Sequence, residues 1–182
     1  MAVVRTPRTA WIDAGLRALS AGGPDSVRVE RLARTLGVTK GGFYWHFDDR
    51  DGLLDAMLGT WERMVIDDVI DRVEGDGGDA RARLRRLFAL AAARRDLVEV
   101  ELAVRDWARR DKAAAQRLRR VDNRRMDYLR SQFREICDDA DEVEVRCVLV
   151  MSLFIATHFL AADHDGRRRS DVIQLTLARL LE

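Results

Sequence analysis

Only two of the 182 residues are cysteine and only two are proline. Cys137 and Cys147 are too few for a disulfide framework and lack metal-ligand spacing. Neither covalent staples nor a structural zinc is therefore expected to hold this chain together. Pro7 and Pro24 both fall outside the predicted helix interiors. Lysine occurs only at Lys40 and Lys112, although arginine is plentiful, and histidine only at His46, His158 and His164. A glycine-rich phosphate loop, a nucleophile elbow and an H-E-x-x-H pattern are all missing, so the chain does not read as an enzyme. No catalytic residue, cofactor or metal site is expected; Asp163-His164-Asp165 reads as a solvated loop. Alternating strand patterns and hairpin signals are missing too, which leaves an all-α fold. Residues 147–162 are nearly free of charge but too short for a comfortable membrane span. Residues 1–9 are polar, without the apolar segment of a secretory signal, so a cytoplasmic location is expected.

What is present is an ordinary globular composition, 47% hydrophobic and 35% charged, with a net charge of +1. Residues 1–50 carry 8 basic and 5 acidic side chains (+3), whereas residues 51–182 carry 24 and 26 (−2). Positive charge is thus gathered at the amino-terminal end, as a phosphate-facing surface requires.

Residues 27–47 account for it. Val29, Leu32, Ala33 and Leu36 fall at helical spacing, and Gly37 follows where a left-handed residue ends a helix most cheaply. Thr39 then offers a hydroxyl that can donate to a DNA phosphate and also cap a second, short helix, which opens Lys40-Gly41-Gly42 and closes on the aromatic cluster of residues 43–47. Two glycines in so short a helix cost about 1 kcal/mol each relative to alanine, which suggests a backbone that must lie close to something. A helix-turn-helix that lays its second helix in the DNA major groove supplies the reason. Phe43 and Phe47, four apart, are expected in the core. Lys40 is placed for a guanine edge or a phosphate, and Trp45, off the Phe43–Phe47 face, for a thymine methyl. Gly41 and Gly42 contribute close approach alone.

Gly37-Val38-Thr39-Lys40-Gly41-Gly42-Phe43-Tyr44-Trp45-His46-Phe47, followed by Asp49-Arg50-Asp51 and Leu53-Leu54, resembles the DNA-binding domain of the tetracycline-repressor (TetR) family. The resemblance reaches back to Trp11-Ile12-Asp13-Ala14 and covers roughly residues 8 to 58. It implies a three-helix DNA-binding domain joined by a long helix to a helical ligand-binding and dimerisation domain. By the same resemblance Tyr44 and His46 would contact phosphates. Arg28, Arg50 and Arg5 or Arg8 are expected as further backbone clamps. Arg28 stands where a hydroxyl often caps the second helix, which moves the expected cap to Ser26. Trp11 and Gly15 are unusual choices for the core of a first helix.

Beyond this domain, residues 1–50, the remainder, residues 51–182, reads as one helical domain. Asp48 and Asp49 are expected to cap a long helix with Leu54, Met57, Leu58, Trp61, Met64, Val65, Val69 and Val73 inward, ended by a flexible-looking linker over residues 74–79. Five more helices follow, including one over 111–137 with an arginine-rich, salt-bridged outer face, one over 141–163 that turns apolar on nearly all sides, and one over 171–181. A helix apolar all round needs burial on every side. A second copy of the chain would supply it, with Phe154 on the shared surface; the resembled family pairs its last two helices in the same way. The resemblance also implies a pocket for a small-molecule effector, lined by Trp61, Phe88, Trp107, Met126, Tyr128, Met151 and His158. The expected function is a homodimeric, sequence-specific transcriptional regulator, a repressor released from a palindromic operator in double-stranded DNA by that effector. The alternative is a helical dimerisation and protein-interaction module with a non-functional DNA reader.

Overall fold

The computed structural model describes residues 6–182, with the backbone alone at positions 95 and 96. Among the described residues there are nine α-helices, two short 3-10 segments and no strand. None of the helices among these residues is long and apolar enough to cross a membrane. The chain forms two compact units, the first of Met1–Asp68 and Arg94–Val121, the second of Val69–Ala93 and Asp122–Glu182.

In the first unit α1 (Arg8–Gly22) starts after Pro7 and stops at Gly23, whose φ of 71° is open to glycine. Trp11, Ile12, Ala14, Leu16 and Leu19 form its buried face. Through that face α1 packs on α3 (Arg50–Val65) and α6 (Arg95–Ala108). Leu97, Val100, Val104 and Trp107 are the buried stripe of α6, as their spacing predicts. Gly15 has a direct cause. A Cβ there would lie 2.5 Å from Met57 Sδ, so only glycine lets α3 approach this closely.

The expected long helix is broken. Helix α3 ends at Val65, Ile66 adopts φ −120° and ψ −72°, and α4 (Asp67–Gly75) begins anew. Trp61 and Ile66 are both buried, and five residues at about 100° each would point them some 140° apart on a straight helix. The interruption turns Ile66 inward and leaves Met64 and Val65 only half-buried.

In the second unit α5 (Ala80–Ala93), the end of α7 (Lys112–Phe133) and α8 (Ala140–Ala156) gather Leu84, Leu129, Phe133, Val143, Cys147 and Val150 into one core, which Leu181 joins just past the end of α9 (Arg169–Arg179). The segment of residues 74–79 is tied down rather than loose: Arg86 donates to the carbonyls of Val73 and Gly77, and Arg83 to that of Gly78. The arginine-rich face of α7 is salt-bridged as expected. Arg130 grips both oxygens of Glu144 at 2.8 Å and reaches Asp127 at 2.9 Å.

Helix α8 stops at Ala156, short of its expected end at residue 163, and α7 stops at Phe133 rather than 137. Nor is α8 buried all round. Val143, Cys147 and Val150 face the core, while Val145, Val148 and Leu149 remain about half exposed. Phe154, expected on the outer surface, lies beneath the Arg125 guanidinium, 5.4 Å from its ring centroid.

Candidate nucleic-acid interface

Helix α2 (Val29–Thr35) is closed by two reciprocal bonds, Val38 N–H to Ala33 O at 2.9 Å and Gly37 N–H to Arg34 O at 3.2 Å. Gly37 at φ 68° makes this closure possible, and the chain turns sharply into the next segment. That segment, Lys40–Trp45, is a 3-10 helix rather than an α-helix. Six residues with two adjacent glycines form too short and too weak an α-helix for it to compete.

Its inner side is fixed by rings. Phe43 is fully buried between Trp11 (5.4 Å, edge-on) and Phe47 (5.3 Å, stacked), and the Arg8 guanidinium covers Phe47 at 4.7 Å. Arg8 is thus seated on the domain's own core, while Arg5 lies outside the described residues. On the outer side Tyr44 is 53% and Trp45 71% exposed. Gly41 and Gly42 do not owe their identity to packing. A Cβ would meet only Thr39 Oγ1 at 3.7 Å or Trp11 Cζ2 at 4.0 Å, both ordinary contacts.

The polar residues divide into two groups. Thr39 is exposed and makes no capping hydrogen bond. Lys40 projects outward and donates to a carboxylate oxygen of Glu30, in the first turn of α2. That bond, then the Glu30 charge, then Tyr44 raise the Lys40 ammonium above its ordinary pKa; the same bond holds the Glu30 carboxyl below its own. Glu30 escaped the sequence reading because an acid in a first turn is already explained by the helix dipole. The signal was its sole cationic neighbour across the turn.

His46 and Arg50 are turned to other work. His46 Nε2 lies 2.8 Å from the Thr6 carbonyl, which ties the amino-terminal arm to the end of the reading segment. Arg50 donates through Nε to Val27 O at 2.8 Å and through Nη2 to Pro24 O. It fastens the α1–α2 connection rather than extending freely as a clamp. Arg28 is exposed and bonds Asp25 O at 3.1 Å. Ser26 does not cap α2; its hydroxyl donates to Gly22 O at 2.8 Å. Asp49 does cap α3, accepting from Gly52 N–H at 2.8 Å.

A pair of short helices joined at a left-handed glycine, with a ring-anchored reading segment and an exposed polar and aromatic edge, is a helix-turn-helix. Residues 12–57 match the pattern of the bacterial regulatory proteins of the tetR family. Residues 12–57 therefore form a domain of the tetR family. An uncharacterized HTH-type transcriptional regulator of Pseudomonas putida, TtgW, is 36% identical over 59 residues. That stretch is 32% of this chain and 44% of TtgW, less than half the length of this curated relative. Two solved structures extend the similarity along the chain. A Rhodococcus sp. protein assigned to the TetR family of transcriptional regulators is 25% identical, with a TM-score of 0.70 over 96% of this chain and 98% of its own. The TetR-family regulator PfmR of Thermus thermophilus shares the fold, with a TM-score of 0.70 at 16% identity, over 94% of this chain and 96% of its own. The tetR family is one of regulators and not of enzymes.

The residues expected around an effector are divided between the two units. Trp61 and Trp107 are buried in the first, and the Trp61 indole N–H has no hydrogen-bond partner among the described residues. In the second, Phe88, Met126 and Met151 pack against one core cluster. Tyr128 donates to Glu74 at 2.6 Å, and His158 is exposed, edge-on to Phe154 at 6.0 Å.

Proposed function

We propose that this protein is a sequence-specific DNA-binding transcriptional regulator, a repressor that leaves a palindromic operator when a small molecule binds it. The observation that carries the reading is the edge of the Lys40–Trp45 segment. Its apolar side is locked by Phe43, its outer side exposes Lys40, Tyr44 and Trp45, and between them lie two glycines that packing does not require. A groove-facing backbone is the environment in which missing side chains are useful. Thr39, Lys40, Tyr44 and Trp45 then touch bases or phosphates, with Gly41 and Gly42 at closest approach. Arg28 adds a phosphate contact. His46 and Arg50 serve the interface by fixing the arm and the loop beside it.

In this reading residues 1–50 form the DNA reader and residues 51–182 the effector and dimerisation part. Homodimerisation through α8 and α9 is supported by Val145, Val148 and Leu149 on α8 and Leu175 on α9, each about half exposed. Two-fold symmetry in the protein calls for a palindrome in the DNA. Among the effector residues Trp61, Phe88, Trp107, Met126, Tyr128, Met151 and His158, Trp61 is the best supported. A buried N–H without an acceptor is costly unless a ligand supplies one. Selection of bound sequences from random duplex DNA tests the reading, with enrichment of one palindrome expected. Recovery of unenriched DNA, together with capture of the protein by other proteins, would favour an interaction module instead.

A further inference from the structure

Lys40 is the only lysine or arginine between residues 35 and 49, so the reading segment has one cation. Its ammonium is bonded to Glu30, with side-chain exposures of 48% and 63%. An ion pair this exposed contributes little to stability, about 0–1 kcal/mol in general, so the fold has little stake in it. Its consequence lies at the DNA.

A free lysine on a four-carbon stem reaches for whichever phosphate is nearest, which adds affinity for every sequence equally. Glu30 changes that in two ways. The pair as a whole is neutral, so phosphates repel the carboxylate about as strongly as they attract the ammonium. The ammonium is also no longer free to wander. Of its three N–H donors one is spent on Glu30, which leaves two. Guanine presents two acceptors, N7 and O6, side by side on its major-groove edge, and the paired cytosine presents the N4 amino donor next to them. The Glu30 carboxylate has lone pairs left for that donor. An acceptor and two donors held together on the protein match a donor and two acceptors held together on one base pair.

We propose that Glu30 is a specificity-determining residue, and that Glu30 and Lys40 together read one G·C base pair in each half-site. Lys40 donates to guanine N7 and O6, Glu30 accepts from cytosine N4, and the bond between them keeps Lys40 off the phosphates. The inference rests on the DNA-reading role proposed above.

Selection from a randomised duplex pool, run in parallel on the unmodified protein, Glu30→Gln and Lys40→Met, tests it. Salt titrations of binding to a mixed-sequence duplex without the selected motif complete the set. The unmodified protein should enrich a motif with one G·C position that Glu30→Gln no longer requires. Discrimination at that position should fall by about 5- to 150-fold, the equivalent of one good bidentate base contact. Glu30→Gln should also bind the unrelated duplex more tightly, its salt slope steeper by about one per protomer, because a released lysine reaches phosphate. Lys40→Met should lose the same preference without that gain. Thermal melts of both variants should match the unmodified protein, since the pair is exposed. An unchanged motif and salt slope for Glu30→Gln would overturn the inference while leaving the DNA-reading role intact. Failure of the unmodified protein to enrich any motif would overturn both.

Discussion

Gly15 on α1 and Met57 on α3 meet where a side chain would otherwise stand: a Cβ on Gly15 would lie 2.5 Å from the Met57 sulfur. Met57 is fully buried and has no open direction in which to retreat. Gly15→Ala should therefore destabilise the protein, despite the roughly 1 kcal/mol that alanine gains over glycine in a helix. Overpacking costs about 1–3 kcal/mol, so a net loss on the order of 1 kcal/mol is expected in urea unfolding. In the double variant with Met57→Ala the two losses should be less than additive, by about 0.5–3 kcal/mol. A Gly15→Ala protein more stable than the parent would contradict the close approach.

Gly41→Ala and Gly42→Ala should do the opposite. Neither glycine has a positive φ, and an added Cβ finds room at both. Restricting the unfolded chain should stabilise each variant by about 0.4–1 kcal/mol. DNA affinity should fall at the same time, because the added methyl occupies the surface offered to the groove. Melting curves and DNA titrations on the same samples separate the two effects. Raised stability with unaltered DNA affinity would show that nothing approaches the backbone there.

These two sites mark what the sequence could convey. Gly37 at the turn, Phe43 and Phe47 in the core and Asp49 as a cap were legible because each is decided by residues a few positions away. The employment of Arg50 was not, since its carbonyl partners at Val27 and Pro24 lie more than twenty residues earlier. His46 likewise finds Thr6 across 40 residues. Ile66 breaks a helix that propensity alone would continue, because tertiary burial outweighs local preference. The exposed side of α8 was hidden for another reason. A sequence apolar on nearly every side does not reveal which side a single chain leaves uncovered.

That uncovered side gives the third prediction. Val148→Asp or Leu149→Arg should convert a dimer into a folded monomer, seen as halved mass in sedimentation equilibrium with helicity retained. Phe154→Arg is a poorer probe, because Phe154 carries the Arg125 guanidinium within its own unit. Loss of the dimer should also weaken operator binding, since each half-site would then be held separately. An unmodified protein that is monomeric at micromolar concentration would sink the symmetric reading.

Alkaline pH should destabilise the second unit. Burial, then the Glu144 charge, push the Cys147 thiol up to about 11; burial, then the hydrogen bond to Glu74, raise the Tyr128 phenol as well. In the unfolded chain these groups ionise near ~8.5 and ~10. The unfolded state therefore releases its protons first. The stability these groups contribute is whole below the unfolded values and is lost as pH rises through the folded ones. Urea midpoints measured across this range should fall more steeply for the parent than for the Cys147→Ala, Tyr128→Phe double variant. Parallel curves would show that neither group is coupled to folding.

Trp45 supplies a direct view of the interface. Of the four tryptophans Trp11 and Trp61 are fully buried, Trp107 is 8% exposed and Trp45 71% exposed. Iodide or acrylamide should therefore quench chiefly Trp45 in the free protein. If the Lys40–Trp45 segment enters a groove, bound duplex should shield that indole, shift its emission and remove the quenchable component. Trp45→Phe should abolish the signal and Trp107→Phe should leave it. The same signal then reads the effector. A small molecule that releases the protein must restore Trp45 quenching, and DNA must weaken that molecule's binding by the same factor. Coupling of about 1–3 kcal/mol corresponds to a 5- to 150-fold change in either affinity. DNA binding that leaves Trp45 as accessible as before would mean that a different surface meets the duplex.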